Sequence, residues 1–174
     1  MGERGAGAVV QGALIFEDLL REHQAMVFSL ALHFLGDRAA AEESAQDVFL
    51  QLHRHLGDMQ SAEHVVFWLR RVTVNRCISE ARRRGRRTEI SLDEVEEPEA
   101  PGVDCDPLAD EQLRRLVASL PEKARGVVVL RYQEDLDPED IARVLGMPVN
   151  TVKSKLQRAL VMLRRKASQM QVKR

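Results

Sequence analysis

Residues Pro138-Glu-Asp-Ile-Ala-Arg-Val-Leu-Gly-Met-Pro-Val-Asn-Thr-Val-Lys-Ser-Lys-Leu-Gln-Arg-Ala-Leu160 read as two helices joined by a tight turn. Asp137-Pro138 caps and opens the first, and Glu139 and Asp140 sit favourably at its positive end. Ile141, Ala142 and Leu145 give it one apolar side, and Ala142 is small enough for another helix to cross closely. Gly146 supplies the left-handed residue that ends the helix, and Asn150 is placed to cap the next. There Val152, Leu156, Ala159, Leu160 and Leu163 recur at helical spacing and face inward. Lys153, Ser154, Gln157 and Arg158 share another face, which offers donors to base edges and cations to phosphates. The pattern is a helix-turn-helix whose second helix suits the major groove of DNA. A plain helix hairpin with a solvated side has no need of Gly and Asn in the turn, or of Ala142 and Val152 at their distances from Gly146.

The rest of the chain is organised by charge. The 174 residues carry a net charge of -1, but the signs are segregated. Eight arginines lie between Arg70 and Arg87 against one acid, Glu80. Nine acids and no base follow from Glu89 to Asp110, and eight bases and no acid from Lys153 to Arg174. Both basic blocks end helical patterns, which marks them as binding faces rather than solvated runs. Aromatics are only 4% of the chain, so the core is built of Leu, Val and Ala, as in packed helices. Cys77 and Cys105 form neither a disulfide framework nor a metal-ligand spacing and read as free thiols in a reducing cytoplasm. No apolar run approaches the roughly 20 residues of a membrane span, and no signal peptide is visible.

The expected architecture is all-α: two small helical domains joined by a flexible acidic linker, the second containing the helix-turn-helix. Residues 1–13 are small and Gly-rich, a flexible lead-in. The first domain, 14–87, holds three helices. Leu14 to Leu35 carries Phe16, Leu19, Leu20, Val27, Leu30, Ala31 and Phe34 inward. Gly36-Asp37 ends it and caps Ala39–Leu56. After Gly57-Asp58, a third helix from Ser61 to Arg84 turns Val65, Trp68, Leu69, Val72 and Ile78 inward and its arginines outward. Residues 88–107, acidic and with three prolines, are the linker. The second domain, 108–168, adds Leu113–Leu120 and a helix opened by Pro121-Glu122, followed by a basic tail, 169–174. Val127–Leu130 alone suggests a strand, and Gly126 lowers helix propensity. The run is still expected to be helical, because a buried strand without a partner leaves its backbone unsatisfied.

Four stretches in order, Ala41-Glu-Glu-Ser-Ala-Gln-Asp-Val-Phe49, Trp68-Leu-Arg-Arg-Val-Thr-Val-Asn75, Leu120-Pro-Glu-Lys-Ala-Arg125 and Val149-Asn-Thr-Val-Lys-Ser-Lys-Leu156, carry a resemblance. Residues 16–87 resemble region two, and 108–168 region four, of bacterial RNA polymerase sigma factors. The size and the missing intervening domain are similar to the extracytoplasmic-function group. The resemblance implies that Glu43, Gln46, Asp47 and Phe49 face the clamp coiled coil of core RNA polymerase, Phe49 being equally placed as plain core. It sets the loop Met59, Gln60, Ser61, Ala62, Glu63 and His64 to capture a flipped base of the promoter -10 element, and Asn75 against the same strand. Arg70, Arg71, Arg76, Arg82, Arg83 and Arg84 would hold phosphates where the duplex opens, since opening needs neutralised single-strand phosphates and a pocket for the unstacked base. Trp68 reads as core. Lys153, Ser154, Gln157 and Arg158 would read the -35 element, with Thr151, Lys155 and Arg143 on the backbone.

The sequence departs from the pattern in three places. The Met59–His64 loop lacks the Gly and aromatic residue common in the family. Ser44 follows Glu43 where an aliphatic residue is usual. Asp137-Pro138 replaces Ser-Tyr, which changes capping and leaves DNA contact alone. The acidic linker either threads the polymerase channels as a nucleic-acid mimic or is a passive tether. The resemblance also implies an anti-sigma factor as a partner, so that a cytoplasmic factor is held at the membrane indirectly. It implies no enzyme activity, cofactor or metal. A stand-alone helix-turn-helix regulator is the rival reading, but it leaves the arginine helix and acidic linker without a role and no dimerisation heptad is visible. A metal sensor or enzyme finds no ligand set: His53 and His55 diverge on one helix, and His23, His33 and His64 are scattered.

Overall fold

At Gly36 the chain turns through φ +69°, and Asp37 at once restarts it as a helix, its carboxylate accepting from the Ala40 amide at 2.7 Å. That pair of residues separates α1 (Gly7–Leu35) from α2 (Arg38–His55). A 3-10 turn at Leu56–Asp58 leads to α3 (Ala62–Thr88), whose first turn is capped by Ser61, the hydroxyl oxygen accepting from the His64 amide at 3.1 Å. Then come α4 (Pro107–Ala118), α5 (Glu122–Tyr132), α6 (Pro138–Leu145) and α7 (Val149–Val172). The computed structural model describes residues 7–88 and 107–172, and all the regular structure in them is helical. The acidic linker, with Cys105, lies outside the described residues, apart from Thr88 and Pro107 at its ends.

Several boundaries differ from expectation. Helix α1 begins at Gly7, so residues 7–13, expected in a flexible lead-in, extend the helix; adding turns to a formed helix costs little beyond nucleation. Helix α4 starts about six residues earlier than Leu113, and α7 runs through the expected tail to Val172. Asn150 is not a cap: α7 already starts at Val149, and the Pro148 carbonyl accepts from Thr151 and Val152 at 2.9 and 3.1 Å. The Val127–Leu130 run is helical and fully packed in α5.

The two helical units are both present, but they do not keep separate cores. One apolar cluster lies under α1, α2 and the start of α3, formed by Leu19, Val27, Val48, Phe49, Leu52, Val65 and Leu69. A larger one joins the two halves: Leu30, Phe34, Val74 and Cys77 from the first pack with Val127, Leu130, Ile141 and Val144 from the second. Each such side chain, fully buried, contributes about 1.5–3 kcal/mol relative to exposure. Small units have little core of their own, which favours pooling it. Gly126 explains its own poor propensity here. A Cβ added to it would lie 3.3 Å from Val74 Cγ1 and 3.6 Å from Phe34 Cε2, so glycine lets α5 approach α3 and α1.

Polar ties follow the same seam. Arg125 donates to the Phe34 carbonyl at 3.0 Å and to the Leu120 carbonyl at 3.1 Å, and its guanidinium lies over the Phe34 ring at 5.2 Å. It therefore closes the C-terminal ends of α1 and α4 together. Burial lowers the pKa of this guanidinium, with Glu122 and Cys77 opposing. Gln133 donates to Ser29 Oγ at 3.0 Å, and Arg70 pairs with Glu134 at 2.8 Å.

Candidate nucleic-acid interface

The turn between α6 and α7 is built as the residues dictate. Asp137 accepts from the Asp140 amide at 2.8 Å, Pro138 opens α6, and Gly146 ends it in the left-handed region at φ 61°. Ile141, Ala142 and Val144 are buried, with Leu145 only partly so; Val152 packs α7 onto them, and Ala159 packs it onto Leu120 and Val128. This fixes the other side of α7 outward. Lys153, Gln157 and Arg158 are exposed there, within an arc of about 140° around the helix. Ser154 is half-buried and its hydroxyl donates to the Thr151 carbonyl at 3.1 Å; Thr151 and Lys155 flank it, also half-buried. Lys153 reaches Glu139 on α6 at 3.2 Å, and Arg143 pairs with Asp140. Arg158 has no ion-pair partner among the described residues. The face thus presents one unengaged guanidinium and a side-chain amide, the groups that read guanine and adenine edges bidentately.

Helix α3 sorts its arginines more sharply. Arg70 is turned to Glu134, whose side chain is only 7% exposed. Arg76 lies against α2, 2.8 Å from Asp47 and 3.8 Å from Glu43. Arg83 and Arg84 reach Glu80 at 3.0 and 3.1 Å, and Arg84 also reaches Asp37 at 3.2 Å. Arg71, Asn75 and Arg82 are exposed, and the two arginines have no ion-pair partner among the described residues. At 100° per residue Asn75 and Arg82 stand about 40° and 20° from Arg71, so the three form one stripe along α3. Of the six arginines expected to hold phosphates, four are engaged by carboxylates and two are presented.

The segment expected as a base-capturing loop is shorter than that. Only Met59–Ser61 lie outside helices, while Ala62, Glu63 and His64 form the first turn of α3. Met59 packs on the smaller core, and His64 Nδ1 accepts from the Gln60 amide at 3.3 Å. Glu63 is held below the usual carboxylate range by its own amide and by Ser61. Beside this turn a cleft of about 450 Å³ runs between α3 and α6, bounded by Ala62, Glu63, Phe67, Asp140 and Arg143.

On α2, Glu43 and Gln46 are exposed and Asp47 is partly so, but Phe49 is buried in the smaller core. Trp68 packs on that same core, half-buried, with the His55 ring 6.0 Å away. Sequence reasoning misses Leu50, a leucine 58% exposed one turn beyond Gln46. With Phe16, Leu20, Phe28 and Ala45 it lines an apolar groove of about 730 Å³ between α1 and α2. The available signal is its position: Leu50 falls outside the inward period of Val48, Phe49 and Leu52. Leu113 and Tyr132, likewise exposed, border a second groove between α4, α5 and α7. Among the described residues no three His, Cys, Asp or Glu side chains gather as a metal site, and no helix is long and apolar enough to cross a membrane. Cys77 is a buried free thiol, its pKa pushed up to about 12 by burial.

Comparison with known proteins bears on the whole arrangement. The family described as Sigma-70 region 2 matches residues 19–87, and Sigma-70, region 4 matches residues 110–163. RNA polymerase sigma-H factor of Pseudomonas aeruginosa is 30% identical over 159 residues, covering 83% of this chain and 81% of that protein. ECF RNA polymerase sigma factor SigE of Mycolicibacterium smegmatis is 31% identical over 155 residues, covering 86% of this chain and 60% of that longer protein. In fold, the sigma factor RpoE of Bartonella quintana, solved in complex with the anti-sigma factor NepR, matches 86% of this chain and 94% of that one with a TM-score of 0.72 at 20% identity. With both family regions matched in order, either side of the shared core, the chain belongs to the extracytoplasmic-function group of the sigma-70 family of RNA polymerase sigma factors.

Proposed function

We propose that this protein is an alternative sigma factor that binds core RNA polymerase and directs initiation at promoters carrying its own -35 and -10 elements. The observation that carries the reading is the exposed face of α7, with Arg158 and Gln157 presented by a helix-turn-helix whose other side is locked into the core. Lys153 and Ser154 complete the -35 readers, with Thr151, Lys155 and Arg143 toward the backbone. The α3 stripe Arg71, Asn75 and Arg82 follows the opened -10 strand, and the turn at Met59–His64 takes an unstacked base. Glu43, Gln46 and Asp47, beside the Leu50 groove, meet the polymerase clamp. Covalent chemistry stays with the polymerase. The factor acts in the cytoplasm, and the Leu113–Tyr132 groove is a surface that an anti-sigma protein covers to silence it.

The packed arrangement is that of the factor away from promoter DNA. Elements named for positions -35 and -10 are 25 base pairs apart, about 85 Å at 3.4 Å per pair. Helices in contact sit only about 8–10 Å apart, and α6 rests on α3. The shared core therefore has to part before both elements are engaged.

Purified protein with core polymerase is expected to start transcripts at a defined distance from a -35/-10 pair, mapped by transcript 5′ ends. A stand-alone regulator would bind the -35 duplex without core polymerase and give no new start sites. That outcome would overturn the assignment.

A further inference from the structure

Glu80 is the one acid in the arginine block, and it is 2% exposed. A buried carboxylate is retained only with strong partners. Glu80 has three: Arg83 at 3.0 Å, Arg84 at 3.1 Å and Arg76 at 3.5 Å. Those guanidiniums continue outward to α2 and its cap, through Arg76 to Asp47 at 2.8 Å and through Arg84 to Asp37 at 3.2 Å. Burial pushes the Glu80 carboxyl up, but its bonds to Arg83 and Arg84 outweigh that and hold it below its usual range, so it stays ionised. Nine residues separate Glu80 from Arg71, which sets it about 180° around α3 from the presented stripe.

We propose that Glu80 is a positioning residue that sorts the cations of α3. It gathers Arg76, Arg83 and Arg84 on the side facing α2 and leaves Arg71 and Arg82 as the guanidiniums offered to a nucleic-acid strand. This rests on the reading of Arg71, Asn75 and Arg82 as the strand-facing stripe. Without the carboxylate, Arg83 swings free and any phosphate within reach recruits it, while Arg76 keeps Asp47 and Arg84 keeps Asp37. The helix then binds more tightly and less selectively. Arg76, tied to Asp47 and Glu43, belongs to the α2 surface and not to the DNA stripe.

The test is the salt dependence of binding to a labelled single-stranded oligonucleotide, measured by anisotropy with the full chain. Each single-strand phosphate neutralised adds about 0.7 to the slope of log K against log salt. Glu80→Gln is expected to steepen the slope by about 0.7 for the one freed arginine, Arg83. Glu80→Asp keeps the charge and is expected to restore the wild-type slope. Glu22→Gln, an equal charge change at an exposed site on α1, is expected to leave it alone. A folded Glu80→Gln protein with an unchanged slope, or Glu22→Gln steepening as much, overturns the proposal. Where Glu80→Gln does not fold, the double variant Arg83→Gln, Arg84→Gln decides: masked arginines predict no change, and a slope shallower by about 1.4 overturns it. Arg82→Gln, expected to be shallower by about 0.7, tests the stripe separately. If it has no effect while Glu80→Gln steepens the slope, the stripe falls and the sorting role stands.

Discussion

Helices α3 and α7 carry similar loads of positive charge and use them differently. Helix α3 stands at a junction, packed against α1, α2, α5 and α6, while α7 packs only within the second half. Four of the described arginines of α3 are held by carboxylates, and four of the five acids involved lie outside α3. On α7 the corresponding ties are few and exposed, as in Lys153 with Glu139. A count of basic residues therefore overstates the nucleic-acid surface of a helix that also holds a fold together. The free cations are those whose direction no neighbouring acid claims.

The largest effect that would break this contrast is at the junction. Arg70→Ala leaves the nearly buried Glu134 carboxylate without its partner, at a cost of about 3 kcal/mol. Thermal unfolding is expected about 6–12 °C lower, with -35 duplex affinity unchanged. A variant with wild-type melting would mean that Arg70 is free in solution and α3 is no different from α7. Arg158→Ala should do the reverse. It is expected to lose about 1–3 kcal/mol of promoter discrimination in transcription assays, with normal melting and normal polymerase affinity. Retained discrimination would show that the outward face of α7 is misassigned.

Those opposed outcomes bear on what the sequence makes legible. The helix-turn-helix is legible because its signals are local: Asp137, Pro138 and Gly146 act within one turn of themselves. The cap at Asn150 misleads because Pro148 already fixes the start of α7. The shared core is not legible. Helical spacing picks out Val65, Trp68, Leu69, Val72 and Ile78 as the inward residues of α3, but Val74 and Cys77, with Ile78 beside them on the shared core, form a second apolar side, and periodicity does not say that it faces α5. Glu80 shows the same limit. In sequence it is a lone acid diluted by arginines, and only burial reveals that it commands three of them.

Two smaller measurements sharpen the contrast. Lys153→Ala is expected to cost no more than about 1 kcal/mol in -35 affinity, less than Arg158→Ala, because binding already has to break an exposed pair with Glu139. An equal loss would make the Glu139 tie irrelevant. Acid should act on the α2–α3 side. Burial raises the Asp37 carboxyl, but the Ala40 amide and Arg84 outweigh it and its folded pKa lies below the ordinary value. A depressed folded pKa gives stability that is complete above the unfolded value of 3.8 and lost as pH falls below it. Stability measured from neutral pH down through that range is expected to fall less in Asp37→Asn than in wild type, and parallel curves would remove the contribution.

The bond from Arg125 to the Phe34 carbonyl joins residues 91 apart in the chain. A ribosome adding about 5–20 residues per second leaves roughly 5–20 s between the emergence of α1 and that of the helix that covers it. Through that interval Leu30, Phe34 and Val74 present an uncovered apolar face on a nascent chain. The first half of this factor therefore spends its first seconds in want of a partner, and a chaperone or a competing apolar helix reaching it then would meet the surface on which its own second half is meant to close.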